Sequence, residues 1–327
     1  MSAARPRMVA LGKATTDLFV TCPAAFVPHL GPGGRVLTLP LGVKLDLDEI
    51  VVTTGGNAAN AATTFARQGL DSVFLWAFGT DDDSARILES LEEDGVDVSH
   101  VLIEPGRVPS LSVILLSPSG ERTILNHRGS RPDDGARSID LTPITGADWL
   151  YASSLAGDLR LLADALAVAA AAGTKVLLSP AGSELRQRPT LLSLLSRCDL
   201  LAMNSDEARL LLGSHERDAG ALAAAVAALG PGALVTDGAR GAAFCDTAGE
   251  ITVHVDGVVH DVIDTTGCGD AFASGFLARY AQAADVGECI AFATANAKNV
   301  LRFLGARPGI LRSPSRAPER SAAPASV

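Results

Sequence analysis

Between residues 148 and 238, short apolar segments alternate with helix-like segments, and this alternation constrains the fold more than any other feature of the sequence. The apolar segments lack polar alternation, as is typical of strands buried on both faces. Parallel strands joined by helices form a sheet that helices cover on both sides. We therefore expect an α/β fold with a mostly parallel central sheet. The predicted strands are 148–153, 175–180, 199–204 and 233–238, and the predicted helices are 158–173, 184–197, 205–212 and 218–229.

The alternation extends in both directions from this region. A length of 327 residues is typical of one large α/β domain with a small appendage. We therefore predict one domain over residues 7–311. The additional predicted strands are 7–12, 72–79 and short segments up to 263, and the additional predicted helices are 57–69, 82–95, 268–284 and 286–304.

Two half-polar segments interrupt the alternation. The first, 18–56, contains Pro and Gly clusters and ends in the alternating stretch "KLDLDEIVVTT". The second, 100–128, contains two strand-like runs joined by "PSGE", which is typical of a hairpin. We predict that the two segments form a small sheet that projects from the α/β body as a lid. Residues 312–327, rich in Pro, Ser, Ala and Arg, predict a disordered tail.

The charge and cysteine content limit the partners and the compartment. The formal net charge is −10, which argues against a nucleic-acid-binding surface or an anionic membrane as partner, although a small phosphorylated ligand needs only local donors. The five cysteines lie far apart without CxxC spacing, so we expect reduced thiols. The start of the chain has no long apolar run, and we expect a cytoplasmic protein.

The stretch "DTTGCGDAFASGF" (264–276) places a glycine-rich turn before a small-residue helix. Gly267 and Gly269 allow a tight turn whose amides face outward, and a helix amino terminus attracts anions. Asp270 in the first helical turn is well placed to accept a proton from an alcohol. The alternative is a capped helix without function, because an acid is favourable in a first turn.

A second glycine motif, "TTGGNAANAA" (53–62), also precedes a predicted helix. Two glycines bring the backbone close to a ligand, and Asn57 or Asn60 could hydrogen-bond hydroxyl groups. The alternative is a strand-to-helix turn with Asn as the helix cap. Local sequence does not decide between the two.

Five motifs in one order resemble the ribokinase-like, or PfkB, family of carbohydrate and nucleoside kinases, across residues 7–311. The double glycine followed by Asn and the "DTTGCGD" stretch are the most specific of them. The motifs are "GKATTD" (12–17), "GGNAAN" (55–60), "NSDE" (204–207), "TDGARGA" (236–242) and "DTTGCGD" (264–270).

The resemblance implies a ribokinase-like fold and an ATP-dependent kinase that phosphorylates a hydroxyl group of a small sugar or sugar derivative. It implies that Asp270 is the catalytic base and that the backbone of Gly267, Cys268 and Gly269 forms the anion hole for the transferred phosphoryl group. The positions that match the family's sugar contacts are Asp17, Gly55, Gly56 and Asn60.

The resemblance also implies nucleotide and metal contacts. Asn204 and Glu207 match a motif that organises Mg²⁺ and phosphate through water. Asp264 and the loop 304–309 fall where many members bind a monovalent cation, so K⁺ is an open alternative. The positions that match the nucleotide site are Thr236, Gly238 and Gly241, with Thr294 and Asn296 near the adenine pocket.

Two departures from the family pattern weaken an assignment to ribose itself. Thr15 stands where ribose kinases usually carry Asn, and "YASSLAG" (151–157) lacks the carboxylate that they place there.

A nucleoside kinase is the nearest alternative function. Nucleobases are commonly bound by stacking on aromatic rings, however, and aromatic residues make up only 4% of the chain. Phe19 and Phe26 are the main stacking candidates. The alternative from another class is a catalytically silent sugar- or nucleotide-binding regulator.

Three further features concern the acceptor, the quaternary structure and the enzyme class. We predict exposed, charged strand residues at Arg122, His127 and Arg128, and the alternative is that they contact a phosphate on the acceptor. Lid edges in the family often pair between subunits, so a homodimer through the lid is left open. No GxGxxG follows the first strand and no Walker A motif is present, which argues against a dinucleotide-dependent dehydrogenase and a P-loop enzyme.

Overall fold

The computed structural model describes residues 5–31, 34–118, 121–130, 138–254, 259 and 261–313. Its strands are β1 (Arg7–Gly12), β2 (Thr15–Thr21), β3 (His29–Gly31), β4 (Gly34–Val36), β5 (Glu49–Gly55), β6 (Asp71–Leu75), β7 (Ala77–Phe78), β8 (Leu102–Ile103), β9 (Ser110–Leu116), β10 (Arg122–His127), β11 (Trp149–Ser153), β12 (Lys175–Ser179), β13 (Leu200–Asn204), β14 (Gly232–Thr236), β15 (Ala242–Cys245) and β16 (Ile251–His254).

The α-helices of the same residues are α1 (Asn57–Arg67), α2 (Asp82–Glu93), α3 (Leu159–Ala172), α4 (Gly182–Leu185), α5 (Arg188–Leu194), α6 (Ser205–Leu212), α7 (Ala219–Ala227), α8 (Cys268–Tyr280) and α9 (Val286–Val300). Short 3-10 turns cover Thr142–Gly146, Leu195–Arg197 and Gly238–Arg240.

Within the described ranges, the central sheet has eight strands in the order β16-β15-β14-β13-β12-β11-β1-β6. Neighbouring strands from β6 to β14 are parallel, and β15 and β16 are antiparallel at one edge. The predicted α/β class with a mostly parallel sheet is therefore confirmed.

The central strands alternate their side chains between two hydrophobic layers. Leu150 packs into the layer that contains α3, α5, α6 and α7. Its neighbour Tyr151 packs into the layer that contains α1, α8 and α9. Both residues are fully buried, which explains why the strands read as continuous apolar runs.

A four-stranded sheet in the order β10-β9-β2-β5 lies beside the central sheet, as the two interrupting segments predicted. Its first strand starts at Thr15 rather than after residue 18, so Asp17 lies inside a strand. Every β2 residue has a partner in both β5 and β9, with Thr15 opposite Gly55 and Ser110. The small sheet is thereby anchored next to the end of β1.

Two predicted elements are interrupted. The helix expected over 184–197 is divided into α4, α5 and a 3-10 turn, because Pro189 is tolerated only in the first turn of a helix and α5 restarts there. The strand expected over 72–79 ends at Leu75, and β7 pairs with β8 in a separate two-stranded sheet. Residues 255–258, 260 and 314–327 of the predicted last strands and tail lie outside the described residues.

A buried ionic cluster attaches the carboxy-terminal loop to α1 and α2. Asp94 accepts hydrogen bonds from Arg67 at 2.8 and 3.0 Å, from Arg307 at 2.8 Å and from Arg312 at 2.8 Å. Burial raises the pKa of Asp94, but the hydrogen bonds and charges of Arg67 and Arg307 outweigh this effect. The pKa of Asp94 therefore lies below its ordinary value. The cluster fixes the loop that carries Ala306, which contacts the glycine turn of the site described below. No helix among the described residues is long and apolar enough to span a bilayer.

Candidate active site

The carboxyl ends of β12, β13 and β14 face the amino-terminal ends of α1 and α8 across a cavity of about 220 Å³. Asp270 lies in the first turn of α8 and borders this cavity. Its Oδ2 accepts a 2.8 Å hydrogen bond from Asn60 Nδ2, and its Oδ1 accepts a 3.0 Å bond from Asn57 Nδ2. Two neutral amides therefore orient the carboxylate, and no described cation forms an ion pair with it.

This environment changes the acidity of Asp270. Burial raises the pKa of Asp270 to about 6, the hydrogen bonds from Asn60 and Asn57 oppose the increase, and the carboxylates of Glu207 and Asp17 add to it. A carboxylate with a pKa near 6 is ionised at neutral pH and still has a useful affinity for a proton. These are the properties of a general base.

The glycine turn before α8 presents unpartnered amides beside Asp270. Gly267 caps the helix with a φ of 75°, and an added Cβ would lie 2.2 Å from the Cβ of Ala306. Gly269, in contrast, is exposed and has open space where a Cβ would stand. The amides of Gly267 and Gly269 donate to no group in the described part of the chain, and that of Cys268 makes only a long 3.4 Å bond to the Thr265 carbonyl. The turn can therefore bind an anion with little rearrangement.

The Cys268 thiol belongs to this turn but is not activated by it. Burial raises the pKa of Cys268 to about 11, and the nearby Asp270 carboxylate adds to the increase. The thiol is therefore protonated at neutral pH, as expected of an inert cysteine.

Asn204 and Glu207 form a reciprocal cap at the start of α6. The Glu207 amide donates to Asn204 Oδ1 at 2.8 Å, and the Asn204 amide donates to Glu207 Oε2 at 2.9 Å. Both side chains border the cavity that contains Asp270. Burial raises the pKa of Glu207, an effect that the hydrogen bond from Asn204 opposes. Among the described residues nothing donates to Glu207 Oε1, which leaves one oxygen of this half-buried carboxylate without a protein partner.

A larger cavity of about 490 Å³ adjoins the first and shares Asn204, Thr236 and Gly269 with it. Its wall includes the sequence-predicted positions Thr236, Gly238, Gly241 and Thr294.

Asn296, predicted near the same pocket as Thr294, does not border that cavity. Asn296 is fully buried; its Nδ2 donates to the Ala271 carbonyl at 2.8 Å, and its Oδ1 accepts from the Leu311 amide at 2.8 Å. Two residues turn a helix by about 200°, so Asn296 faces α8 when Thr294 faces the cavity.

The predicted sugar contacts are brought together at the junction of β1, β2 and β5. Asp17 is buried, and its Oδ1 accepts from Thr15 Oγ1 at 3.2 Å. Burial raises the pKa of Asp17, and hydrogen bonds from Ser112 and Thr15 oppose the increase. An added Cβ on Gly55 would lie 2.4 Å from Asp17 Oδ2, so only glycine fits against this carboxylate. Gly56, with a φ of 102°, closes the turn.

Asn60 is directed toward Asp270 in the structure. Its amide donates to the Asp270 carboxylate, whereas the sequence predicted a contact with the sugar. The sequence predicted Asn57 as a contact for hydroxyl groups or as a helix cap; in the structure Gly56 is the cap, and Asn57 is a second donor to Asp270. The spacing of the two asparagines, i and i+3 on one helix face, is a signal that could have paired them in advance.

Both carboxylate oxygens of Asp264 already accept hydrogen bonds from the protein. Its Oδ1 accepts from the amide and hydroxyl of Thr266 at 3.0 and 2.8 Å, and its Oδ2 accepts from the Gly305 amide at 3.1 Å. Arg122 Nε lies 3.8 Å from Oδ1, so a positive group already stands beside the carboxylate. This arrangement fits a structural residue and does not fit a monovalent cation site.

The comparison with known proteins identifies the family of this chain. The family model described as pfkB family carbohydrate kinase matches residues 37–311. The chain is 31% identical to an ATP-dependent ribose-1-phosphate kinase of Halopiger xanaduensis, over 74% of this chain and 78% of that protein. It is 31% identical to an aminoimidazole riboside kinase of Salmonella typhimurium, over 68% of this chain and 72% of that protein.

Solved structures share the fold at lower sequence identity. The ribokinase of Arabidopsis thaliana complexed with ribose and ATP superposes with a TM-score of 0.76 at 23% identity, covering 94% of this chain and 96% of that one. The adenosine kinase of Sinorhizobium meliloti superposes with a TM-score of 0.76 at 22% identity, covering 93% and 96%. These similarities confirm the predicted ribokinase-like fold.

Proposed function

The chain belongs to the pfkB family of carbohydrate kinases, and from this premise we propose that it transfers the γ-phosphoryl group of ATP to a hydroxyl group of a small sugar or sugar derivative. The observation that carries the proposal is the pairing of a desolvated carboxylate, Asp270, with the unpartnered amides of Gly267 and Gly269 in one helical turn. A base and an anion site at this separation are what phosphoryl transfer to an alcohol requires.

In the proposed reaction, the Asp270 carboxylate takes the proton from the acceptor hydroxyl. The acceptor oxygen forms a bond to the γ-phosphorus while the bond to the β–γ bridging oxygen breaks, and ADP leaves with that oxygen. The amides at the start of α8 stabilise the negative charge of the transferred group. Asn57 and Asn60 hold the carboxylate in position without neutralising it.

The residues that would hold Mg²⁺ are Asn204 and Glu207. The fit rests on Glu207, a half-buried carboxylate that borders the same cavity as Asp270 and has one oxygen without a described donor. Hard oxygen ligands and retained waters suit Mg²⁺. When bound, the ion would neutralise phosphate charge.

The nucleotide is proposed to occupy the larger cavity beside the first. The shape supports this proposal, because the wall joins the end of β14, the turn at Gly238 and Gly241, and Thr294 on α9. Closure of the small sheet over the acceptor would exclude water, which otherwise competes for the phosphoryl group.

A nucleoside acceptor is the alternative, and one specific observation favours it. This chain has the same sequence identity, 31%, to the aminoimidazole riboside kinase as to the ribose-1-phosphate kinase. The aromatic residues proposed for base stacking, however, are unsuited to it: Phe19 and Phe26 are only 1% and 3% exposed, and Phe26 packs with Val20 and Cys22 inside the small sheet. A sugar acceptor is therefore proposed first.

Association through the small sheet is proposed as a second property. Its edge strands are β5 and β10, and both expose apolar side chains, including Ile50, Val52, Ile124 and Leu125. Exposed apolar edge strands favour pairing with a second copy. A mass of two chains by light scattering is expected, and a mass of one chain at micromolar concentration would contradict it.

The experiment that tests the function is a screen for ADP formation with pentoses, hexoses, sugar phosphates and nucleosides, followed by mass determination of each product. We expect ADP release that depends on an acceptor and a product heavier by one phosphoryl group. ATP hydrolysis without acceptor dependence, or binding without turnover, would contradict the proposal and favour a regulatory protein.

A further inference from the structure

A third cavity, of about 320 Å³, opens where β1, β6 and β11 end, and its wall contains three cationic side chains. They are Lys13, Arg107 and Arg128, which come from three separate segments of the chain. Among the described residues of this wall, the other charged one is Asp158, which caps α3 by accepting from the Leu161 amide at 2.9 Å. The described part of the wall is therefore predominantly positive, in a chain of negative net charge.

Lys13 is the most unusual of the three cations. It is only 8% exposed, and within the described residues its ammonium group has neither a salt bridge nor a hydrogen bond. Burial lowers the pKa of Lys13, and the positive charge of Arg128 lowers it further. The negative charge of Glu184 opposes this effect, but its oxygens already accept from the amides of Gly157 at 2.6 Å and Ala181 at 3.0 Å.

A partly desolvated ammonium group without a counter-charge is costly in free energy. The two arginines of the cavity differ in this respect. Arg107 is paired with Glu104, whose Oε2 lies 2.8 Å from its Nε. Arg128 is exposed, has no described ion pair, and lies close enough to Lys13 for the two charges to interact. Lys13 and Arg128 are thus two adjacent positive charges that an anion would satisfy together.

The cavity lies directly beside the proposed acceptor contacts. An added Cβ on Gly56 would lie 2.6 Å from the Lys13 carbonyl oxygen and 2.5 Å from Ala14 Cα, so the two turns are in contact. Ser110 borders the cavity and is two residues from Ser112, the partner of Asp17 in the β2–β9 register. An acceptor bound at Asp17 can therefore extend a substituent toward Lys13.

We infer that the acceptor is a sugar that carries an anionic group, and that Lys13 and Arg128 bind this group. The inference rests on the proposed function and names the chemical class of its substrate. A phosphate ester and a carboxylate present the same anionic oxygens to a lysine and an arginine. The similarity to a ribose-1-phosphate kinase supports the phosphate.

The test compares kcat/KM for ribose with values for ribose 1-phosphate, ribose 5-phosphate, fructose 6-phosphate and ribonate. We expect at least one anionic acceptor to exceed ribose by about 100-fold, since two charge-assisted contacts are gained. A preference for an ester identifies a phosphate as the bound group, and a preference for ribonate identifies a carboxylate. If ribose equals or exceeds all four anionic acceptors, the inference is wrong.

Two variants separate binding of the anion from other effects. Lys13→Met and Arg128→Gln should each lower kcat/KM for the anionic acceptor by about 10- to 100-fold and leave that for ribose within about twofold. Lys175→Met is the matched control, because Lys175 is an exposed lysine at the start of β12, whereas the cavity lies where the parallel strands end. Equal losses for neutral and anionic acceptors would contradict the inference.

Calorimetry without nucleotide distinguishes failure of the inference from failure of the proposed function. The wild-type protein should bind the preferred sugar phosphate or ribonate more tightly than ribose, and Lys13→Met should abolish the difference. If binding shows this pattern but no acceptor is phosphorylated, the kinase proposal fails and the anion site stands. If acceptors are phosphorylated but neither variant changes the preference for charge, only the anion site is wrong.

Discussion

The phosphoryl-transfer centre and the acceptor cavity are built with opposite charges. The first desolvates two carboxylates, Asp270 and Glu207, without a described cation to neutralise them. The second desolvates the ammonium group of Lys13 and places Arg128 beside it. In both regions a partly desolvated charge has no ion pair among the described residues, and the missing partner is the basis of each proposal: a proton and a metal ion in one region, an anion in the other.

The difference also concerns how each region is assembled. The base and the anion site of the transfer centre lie in one helical turn whose residues, 267–270, are consecutive in the sequence. The acceptor cavity collects side chains from segments far apart, namely the ends of β1 and β10 and the loop before β9. A local motif therefore marks the chemistry shared by a family, whereas the acceptor site is a property of the tertiary structure.

The largest expected effect tests the transfer centre. Asp270→Asn removes the base and keeps the shape, so kcat should fall by about 10²- to 10⁴-fold while affinity for nucleotide is nearly unchanged. The matched control is Asp83→Asn, which removes an acid from the first turn of α2 and should leave turnover unchanged. Steady-state kinetics and nucleotide titration measure both, and an Asp270→Asn protein with wild-type turnover would refute the assignment.

The two glycines of the turn should respond differently to alanine. Gly269→Ala adds a methyl group in open space beside the amides, so thermal stability is kept and kcat falls by about 10- to 100-fold. Gly267→Ala requires a left-handed backbone and collides with Ala306, so the free energy of unfolding should fall by about 2–4 kcal/mol. Denaturant melts and kinetics of the pair check this, and equal stability losses would contradict the structure of the turn.

A smaller effect is expected at Asn57. Asn57→Ala removes a hydrogen bond that stabilises the ionised form of Asp270, so the pKa of Asp270 should rise and the acid limb of kcat/KM should move to higher pH. Turnover above pH 8 should fall by no more than about tenfold, because Asn60 still orients the carboxylate. A limb that stays in place or moves to lower pH would show that Asn57 does not act on Asp270.

The smallest effect is expected from monovalent cations. Because Thr266, Gly305 and Arg122 surround the Asp264 carboxylate, replacing K⁺ by tetramethylammonium at constant ionic strength should change kcat/KM by less than about twofold. Activation by K⁺ of tenfold or more would mean that Arg122 gives way to a cation during turnover.

The sequence predicted the features that depend on local patterns. Buried parallel strands appear as apolar runs, and a glycine-rich turn can be recognised before a helix, so the central sheet and the turn that carries Asp270 could be predicted. The boundary of β2 could not, because "TTDLFVT" is a strand only through its pairing with β5 and β9. The contact of the Asn296 side chain with α8 could not be predicted either, and nor could the lack of an ion pair at Lys13. Both depend on neighbours from distant segments of the chain.

The pH dependence of kcat/KM for the wild-type protein tests the central claim most directly, since that claim is that Asp270 acts as a base with a raised pKa. Activity should rise with pH through a single ionisation near 6, because the carboxylate is protonated and inactive below that value. The residual activity of Asp270→Asn should lack this limb. A wild-type profile that is flat between pH 5 and 7, or a limb near 6 that persists in Asp270→Asn, would contradict the account.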